Sequence, residues 1–292
     1  MKNIYTIFLL LAMVLVPVSV SAQTKRALVI GLGQYEDKEW SKINGDKDVP
    51  IVCEYLKKAK YSQIDTLVNK QATKVGITSA FRKLASDCNP NDIVYIHFSG
   101  HGQPMKDINK DEKDTLDECW VPYDAYLKPC AKDRGEKHLV DDEVNSLLNN
   151  IRDRIGDGGK MLVVIDACFS GTATRSPEET LRGVGYIFEA VKSYLEEPAE
   201  ESAEPAAENE RWITLSACTS NQVNVEINVP KIGNVGKLTY AIHQNLKNGD
   251  LGTNENFFKK IRIFVKKNTS GRMQKPEMTG ETTKYNINDI LR

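Results

Sequence analysis

Two short stretches carry the residue types that acyl transfer needs. Ser99-Gly100-His101-Gly102 sets one imidazole between two glycines, just after the apolar run 92–98 (DIVYIHF). Asp166-Ala167-Cys168-Phe169-Ser170-Gly171 sets one thiol just after a second apolar run, 160–166 (KMLVVID). A thiol attacks an amide carbon as thiolate, and a nearby imidazole can take its proton and later return it to the leaving amine. This makes Cys168 the candidate nucleophile and His101 the candidate base. Flanking glycines let the backbone approach a substrate carbonyl, and the amides of Gly102 and Cys168 are candidate donors of an oxyanion hole. The other histidines read differently: His97 bonds or packs locally within its run, and His138 and His243 are ordinary surface or helix residues. Cys53, Cys88, Cys119, Cys130 and Cys218 have no zinc-type CxxC spacing and read as scattered buried thiols.

For the thiol and imidazole to meet, the elements that carry them must be neighbours. The chain alternates strand and helix patterns. Strands are expected at 26–31, 64–68, 92–98, 160–166 and 212–217. Helix faces recur at Val49, Val52, Cys53 and Leu56; at Ile77, Ala80, Phe81 and Leu84; at Val144, Leu147, Leu148 and Ile151. Pro50 suits the first turn of the first helix, Thr73 the N-cap of the second, and Asp141, Asp142 and Glu143 the start of the third. Further helices are expected from Leu238 and around Phe257 to Val265. Repeated β-α-β units make an α/β fold with a mostly parallel sheet and helices on both faces. Reactive groups in such sheets collect at the carboxyl ends of the strands, where both stretches lie.

The 292 residues carry a formal net charge of -1. That gives no bulk electrostatic reason to expect nucleic acid or an anionic membrane as partner. Residues 1–22 have the pattern of a signal peptide: Lys2, an apolar run at 7–16, then small residues with Val20 and Ala22 where a signal peptidase reads. A secreted or periplasmic protein follows, with no stable membrane anchor after cleavage. Residues 172–211 read as an insertion. Its acidic, proline-containing end at 196–210 (EEPAEESAEPAAENE) has too little apolar character to bury a core, so a flexible loop is expected.

The paired stretches 95–102 (YIHFSGHG) and 164–171 (VIDACFSG) resemble the signatures of the caspase-like cysteine peptidases, closest to the metacaspase branch. The resemblance runs from about Arg26 to the C-terminus and implies a caspase-like α/β/α sandwich over 23–292. It implies a Cys–His dyad without an obligatory third member, acting on protein or peptide substrates with Arg or Lys at P1. Asp166, Asp48 and Ser99 match the residues of the basic-specific S1 pocket, although Asp48 also reads as a helix N-cap before Pro50. No cofactor is required for the chemistry. The resemblance also implies calcium as an activator, held by Asp117, Asp141 and Asp142; the sequence departs from that pattern at Arg175, where a further acid is expected. Arg175, Arg182, Lys192 and Arg211 flank or lie in the insertion, so a basic-specific pocket is expected to process it, near Arg175 or Arg182. The alternative is a catalytically silent binding module that uses the insertion for docking.

Overall fold

The computed structural model describes residues 23–106, 116–168, 180–182, 210–219, 222–247, 249, 251–269 and 274–292. In chain order the elements are β1 (Lys25–Gly31), α1 (Gly45–Lys58), β2 (Gln63–Val68), α2 (Lys74–Asp87), β3 (Ile93–Ser99), β4 (Gly102–Lys106), β5 (Leu116–Trp120), β6 (Leu139–Val140), α3 (Asp141–Ile155), β7 (Lys160–Asp166), β8 (Ile213–Ser216), β9 (Ile227–Val229), β10 (Gly233–Val235), α4 (Lys237–Lys247), α5 (Asn254–Lys267), β11 (Glu277–Gly280) and α6 (Ile287–Leu291).

Six strands form the central sheet in the order β11-β8-β7-β3-β1-β2. All neighbours run parallel except the edge strand β11, which is antiparallel to β8. The apolar alternation of the strands sorts their side chains to two cores. Leu28, Ile30, Val94, Ile96, Met161 and Val163 face α2 and α3. Ala27, Val29, Tyr95, Leu162 and Val164 face α1, α4, α5 and α6. Helices thus cover both faces, as expected of an α/β/α sandwich.

Thr73 caps α2, its side chain accepting from the Gly76 amide at 3.0 Å. α1 differs from expectation. It starts at Gly45, so Pro50 stands inside the helix and Asp48 lies in its first turn, not at the N-cap. Asn44 occupies the cap position but makes no side-chain cap bond, because its side chain is used elsewhere. The small sheet β4-β5-β6 and the hairpin β9-β10 have no counterpart in the expected strands. Their strands are two to five residues long, too short for a pattern to stand out.

His138 is not a surface residue. It is buried against Asp133 at 3.7 Å, and burial pushes it down to about 4. His243 is also buried, on α4. Most of the expected insertion, Arg175, Lys192 and residues 1–22 lie outside the described residues. Within that insertion, however, 180–182 is built into the fold: Leu181 bridges Val225 antiparallel.

Candidate active site

β3 and β7 are neighbouring parallel strands, and Ser99 pairs with Asp166. His101 and Cys168 each lie two residues beyond that pair, on strands about 4.8 Å apart. The fold therefore brings imidazole and thiol to one sheet end. Both are buried, His101 at 0% and Cys168 at 1% exposure.

The ring of His101 lies beside Trp40 and Tyr35, with centroids 5.1 and 5.2 Å away. Its backbone N–H donates to the Tyr35 hydroxyl at 2.8 Å. Nε2 lies 2.8 Å from the Ser41 carbonyl. A carbonyl only accepts, so Nε2 carries a proton and Nδ1 is the basic nitrogen of the neutral ring. Sequence reasoning missed Ser41, because a backbone oxygen leaves no mark in residue type. On the other side, the Cys168 and Cys218 thiols, not joined as a disulfide, share a hydrogen bond; that hydrogen bond, with burial, pushes Cys218 well above its usual range. Gly102 opens β4, opposite Trp120.

The three expected pocket residues also come together, all at 0% exposure. The Ser99 hydroxyl donates to Asp48 Oδ2 at 2.8 Å, and the Gly236 amide to Asp48 Oδ1 at 2.8 Å. Asp166 Oδ2 accepts from the Thr239 amide at 2.8 Å and its hydroxyl at 2.7 Å; Oδ1 accepts from Asn224 at 2.7 Å. Gly236 is required here for close approach: a Cβ would stand 2.1 Å from Asp166 Oδ2. Behind the pocket, His97 bonds Tyr95 through Nδ1 and Ser99 through Nε2, each at 3.0 Å. Burial pushes His97 down to about 4.

The pocket is filled by the chain itself. Arg182 donates from Nη1 to Asp48 Oδ2 at 2.7 Å and to the Asp166 carbonyl at 3.2 Å. Its Nη1 also lies 3.5 Å from Asp166 Oδ1. Its Nε donates to Glu226 Oε1 at 3.2 Å. Burial lifts Asp48 to about 6, with the Arg182 charge opposing and the Asp166 charge assisting. Burial pushes the same way on Asp166, but the Arg182 charge and the Thr239 and Asn224 hydrogen bonds win and hold it below the usual carboxylate range.

The backbone around Arg182 is equally constrained. The Cys168 amide donates to the Arg182 carbonyl at 2.9 Å. Arg182 N–H donates to the Asn224 carbonyl at 2.9 Å, and Glu226 N–H to the Thr180 carbonyl at 3.0 Å. Residues 180–182 therefore form an extended segment antiparallel to 224–226, ending in an arginine whose carbonyl sits on the amide of the candidate nucleophile. Asn224 and Glu226 were missed from the sequence. Their signal is the alternation in 223–229 (VNVEINV), which puts Asn224, Glu226 and Asn228 on one polar face.

The calcium residues are less convergent. The β5-β6 register carries Asp117 toward the start of α3, but its side chain lies outside what is described. Asp141 Oδ1 accepts from the Asp142 amide at 3.1 Å. Among the described residues no three His, Cys, Asp or Glu side chains group to hold a metal. The Asp117 side chain lies outside that set, and the chemistry below uses no calcium ion.

The profile of the caspase domain matches residues 24–287. This chain belongs to the caspase-domain peptidase family. Metacaspases are among its curated relatives. Metacaspase-1 of Botryotinia fuckeliana is 31% identical over 52% of this chain and 36% of the relative. Metacaspase-1A of Aspergillus oryzae is 29% identical over 60% of the chain and 39% of the relative. Metacaspase-1 of Plasmodium falciparum is 29% identical over 77% and 34%. The chain thus spans about a third of the length of these relatives. A crystal structure of a Geobacter sulfurreducens protein superposes with a TM-score of 0.58 at 22% identity, covering 88% of this chain and 94% of that one; it supports the fold.

Proposed function

We propose that this chain is a cysteine endopeptidase that cleaves after basic residues, with Cys168 as nucleophile and His101 as base, and that its own Arg182–Gly183 bond is a substrate. The observation that carries the reading is the pose of Arg182. A buried ion pair alone would explain its guanidinium among acids. It would not explain an extended, strand-paired backbone with the carbonyl on the Cys168 amide, which is how a scissile residue is held.

In the proposed reaction the Cys168 proton passes to His101 Nδ1 and the sulfur attacks the Arg182 carbonyl carbon. The negative oxygen stays on the Cys168 amide, with Gly102 as the second proposed donor. The C–N bond breaks as His101 protonates the amine of Gly183. A water, deprotonated by His101, then attacks the thioester, giving the carboxylate of Arg182 and the free thiol. Asp48, Asp166 and Ser99 hold the basic side chain. The leader pattern of residues 1–22 supports export without a lasting membrane anchor. Calcium as an activator remains tied to the resemblance; turnover with added calcium against chelator tests it directly.

The deciding experiment is intact mass together with peptide turnover. The wild type is expected to break after Arg182 and to hydrolyse Arg- or Lys-reporters; Cys168→Ala is expected to stay whole and inactive. The same fragments from both chains would overturn the assignment. So would a wild type that hydrolyses neither reporter and leaves Cys168 unlabelled by a basic thiol-reactive probe; that result would favour the silent binding module.

A further inference from the structure

We infer that Glu226 is a specificity-determining residue that makes the pocket select arginine over lysine. This rests on the proposed reading that the pocket takes a basic P1 side chain. Asp48 and Asp166 meet only the far end of the Arg182 guanidinium, through Nη1. A lysine ammonium carries the same charge and can serve those two acids, so they cannot tell the residues apart by charge. Glu226 meets a different atom. It accepts from Nε, the nitrogen within the chain, at 3.2 Å. Lysine has a methylene at that place and no donor.

Glu226 is also prepared for this contact before any side chain arrives. Its Oε1 accepts from the Asn44 amide and its Oε2 from Asn44 Nδ2, each at 2.6 Å. These bonds hold both carboxylate oxygens, in a residue at 8% exposure. They also account for the unused cap at α1, since the Asn44 side chain serves Glu226 instead. A buried, preset acceptor rejects an analogue lacking the matching donor, because the acceptor loses its charge-assisted bond.

The test compares kcat/KM for peptide reporters that differ only in Arg or Lys at P1. Their ratio is independent of how much of the preparation is active, so incomplete self-processing does not distort it. The wild type is expected to favour Arg by about tenfold to a hundredfold, the range of one charged hydrogen bond. Glu226→Met keeps the length and removes the acceptor; its ratio is expected to fall about tenfold. Glu226→Gln keeps one acceptor and is expected to lie between. A wild type that turns over Arg and Lys equally would overturn the inference without any variant, while leaving the basic-specific peptidase reading intact. An unchanged ratio in Glu226→Met would overturn it too. Turnover of neither reporter by a wild type whose Cys168 also stays unlabelled by the basic thiol-reactive probe would sink the parent reading and this one with it.

Discussion

The pocket has two sides that are built differently. Its floor comes from strand ends and the first turn of α1: Ser99, Asp166 and Asp48, each held by several hydrogen bonds and each fully buried. Its wall comes from 224–226, which is tied to the floor through Asn224 on Asp166 and to α1 through Glu226 on Asn44. The floor supplies charge in a place where charge is expensive, and it offsets that expense with dense hydrogen bonding. The wall supplies direction. Under the proposed reading, cation recognition and arginine recognition are separable tasks, carried by separate pieces of chain.

The strongest way to break that division is at the floor. Asp166→Asn is expected to cut kcat/KM on an Arg reporter by about a hundredfold or more, since one partner of a desolvated charge pair is lost. Lysine turnover should fall in parallel; a selective loss of arginine turnover would mean that the floor reads shape as well. On the wall, Asn224→Ala removes a donor from Asp166 without touching the bound side chain. A loss of about tenfold is expected, shared by both reporters and expressed in KM more than kcat.

The floor also predicts a pH signature. Asp48, lifted to about 6, takes up a proton as pH falls through that value, so KM for basic reporters should rise below about pH 6. In Asp48→Asn the KM should be poorer but flat across that window; a persistent rise would assign the proton to another group. His97 beneath the floor works on stability, in the sense of a depressed base. Its folded value of about 4 lies below the usual 6.5, so the folded state disfavours the charged ring. Its contribution is present above pH 6.5 and is lost as pH falls toward 4, amounting to about 3 kcal/mol. Denaturant titrations of His97→Gln should lose less stability than wild type over that window. The smallest effect is expected far from the pocket: Thr73→Ala should cost about 1 kcal/mol through the α2 cap, with turnover unchanged.

The floor was legible in the sequence and the wall was not. Runs 92–98 and 160–166 are long, apolar and followed by chemistry-bearing residues, so both the pairing of β3 with β7 and the meeting of His101 with Cys168 could be expected. Asp48 was found through the family resemblance, while its reading as an N-cap failed because α1 begins a turn earlier. The wall lay hidden because 222–229 folds as a brief bridge and a three-residue strand, and because its polar face means nothing until it stands opposite Asp166. Arg182 shows the same limit. As sequence it was one of several basic residues near an acidic insertion; the Cys168 amide on its carbonyl is a long-range fact. The buried His138 was misread for the mirror reason, since its loop carries no periodicity that marks an inside face.

The attachment of Arg182 to the chain it fills has a kinetic consequence under the proposed reading. A tethered end is presented at an effective concentration set by geometry and not by the amount of protein in solution. The first cut should therefore follow first-order kinetics with one half-life across a dilution series. An outside peptide must then compete with a newly made carboxy terminus that still holds the same seat, so departure of that end, and not the cut itself, would time the onset of activity toward others.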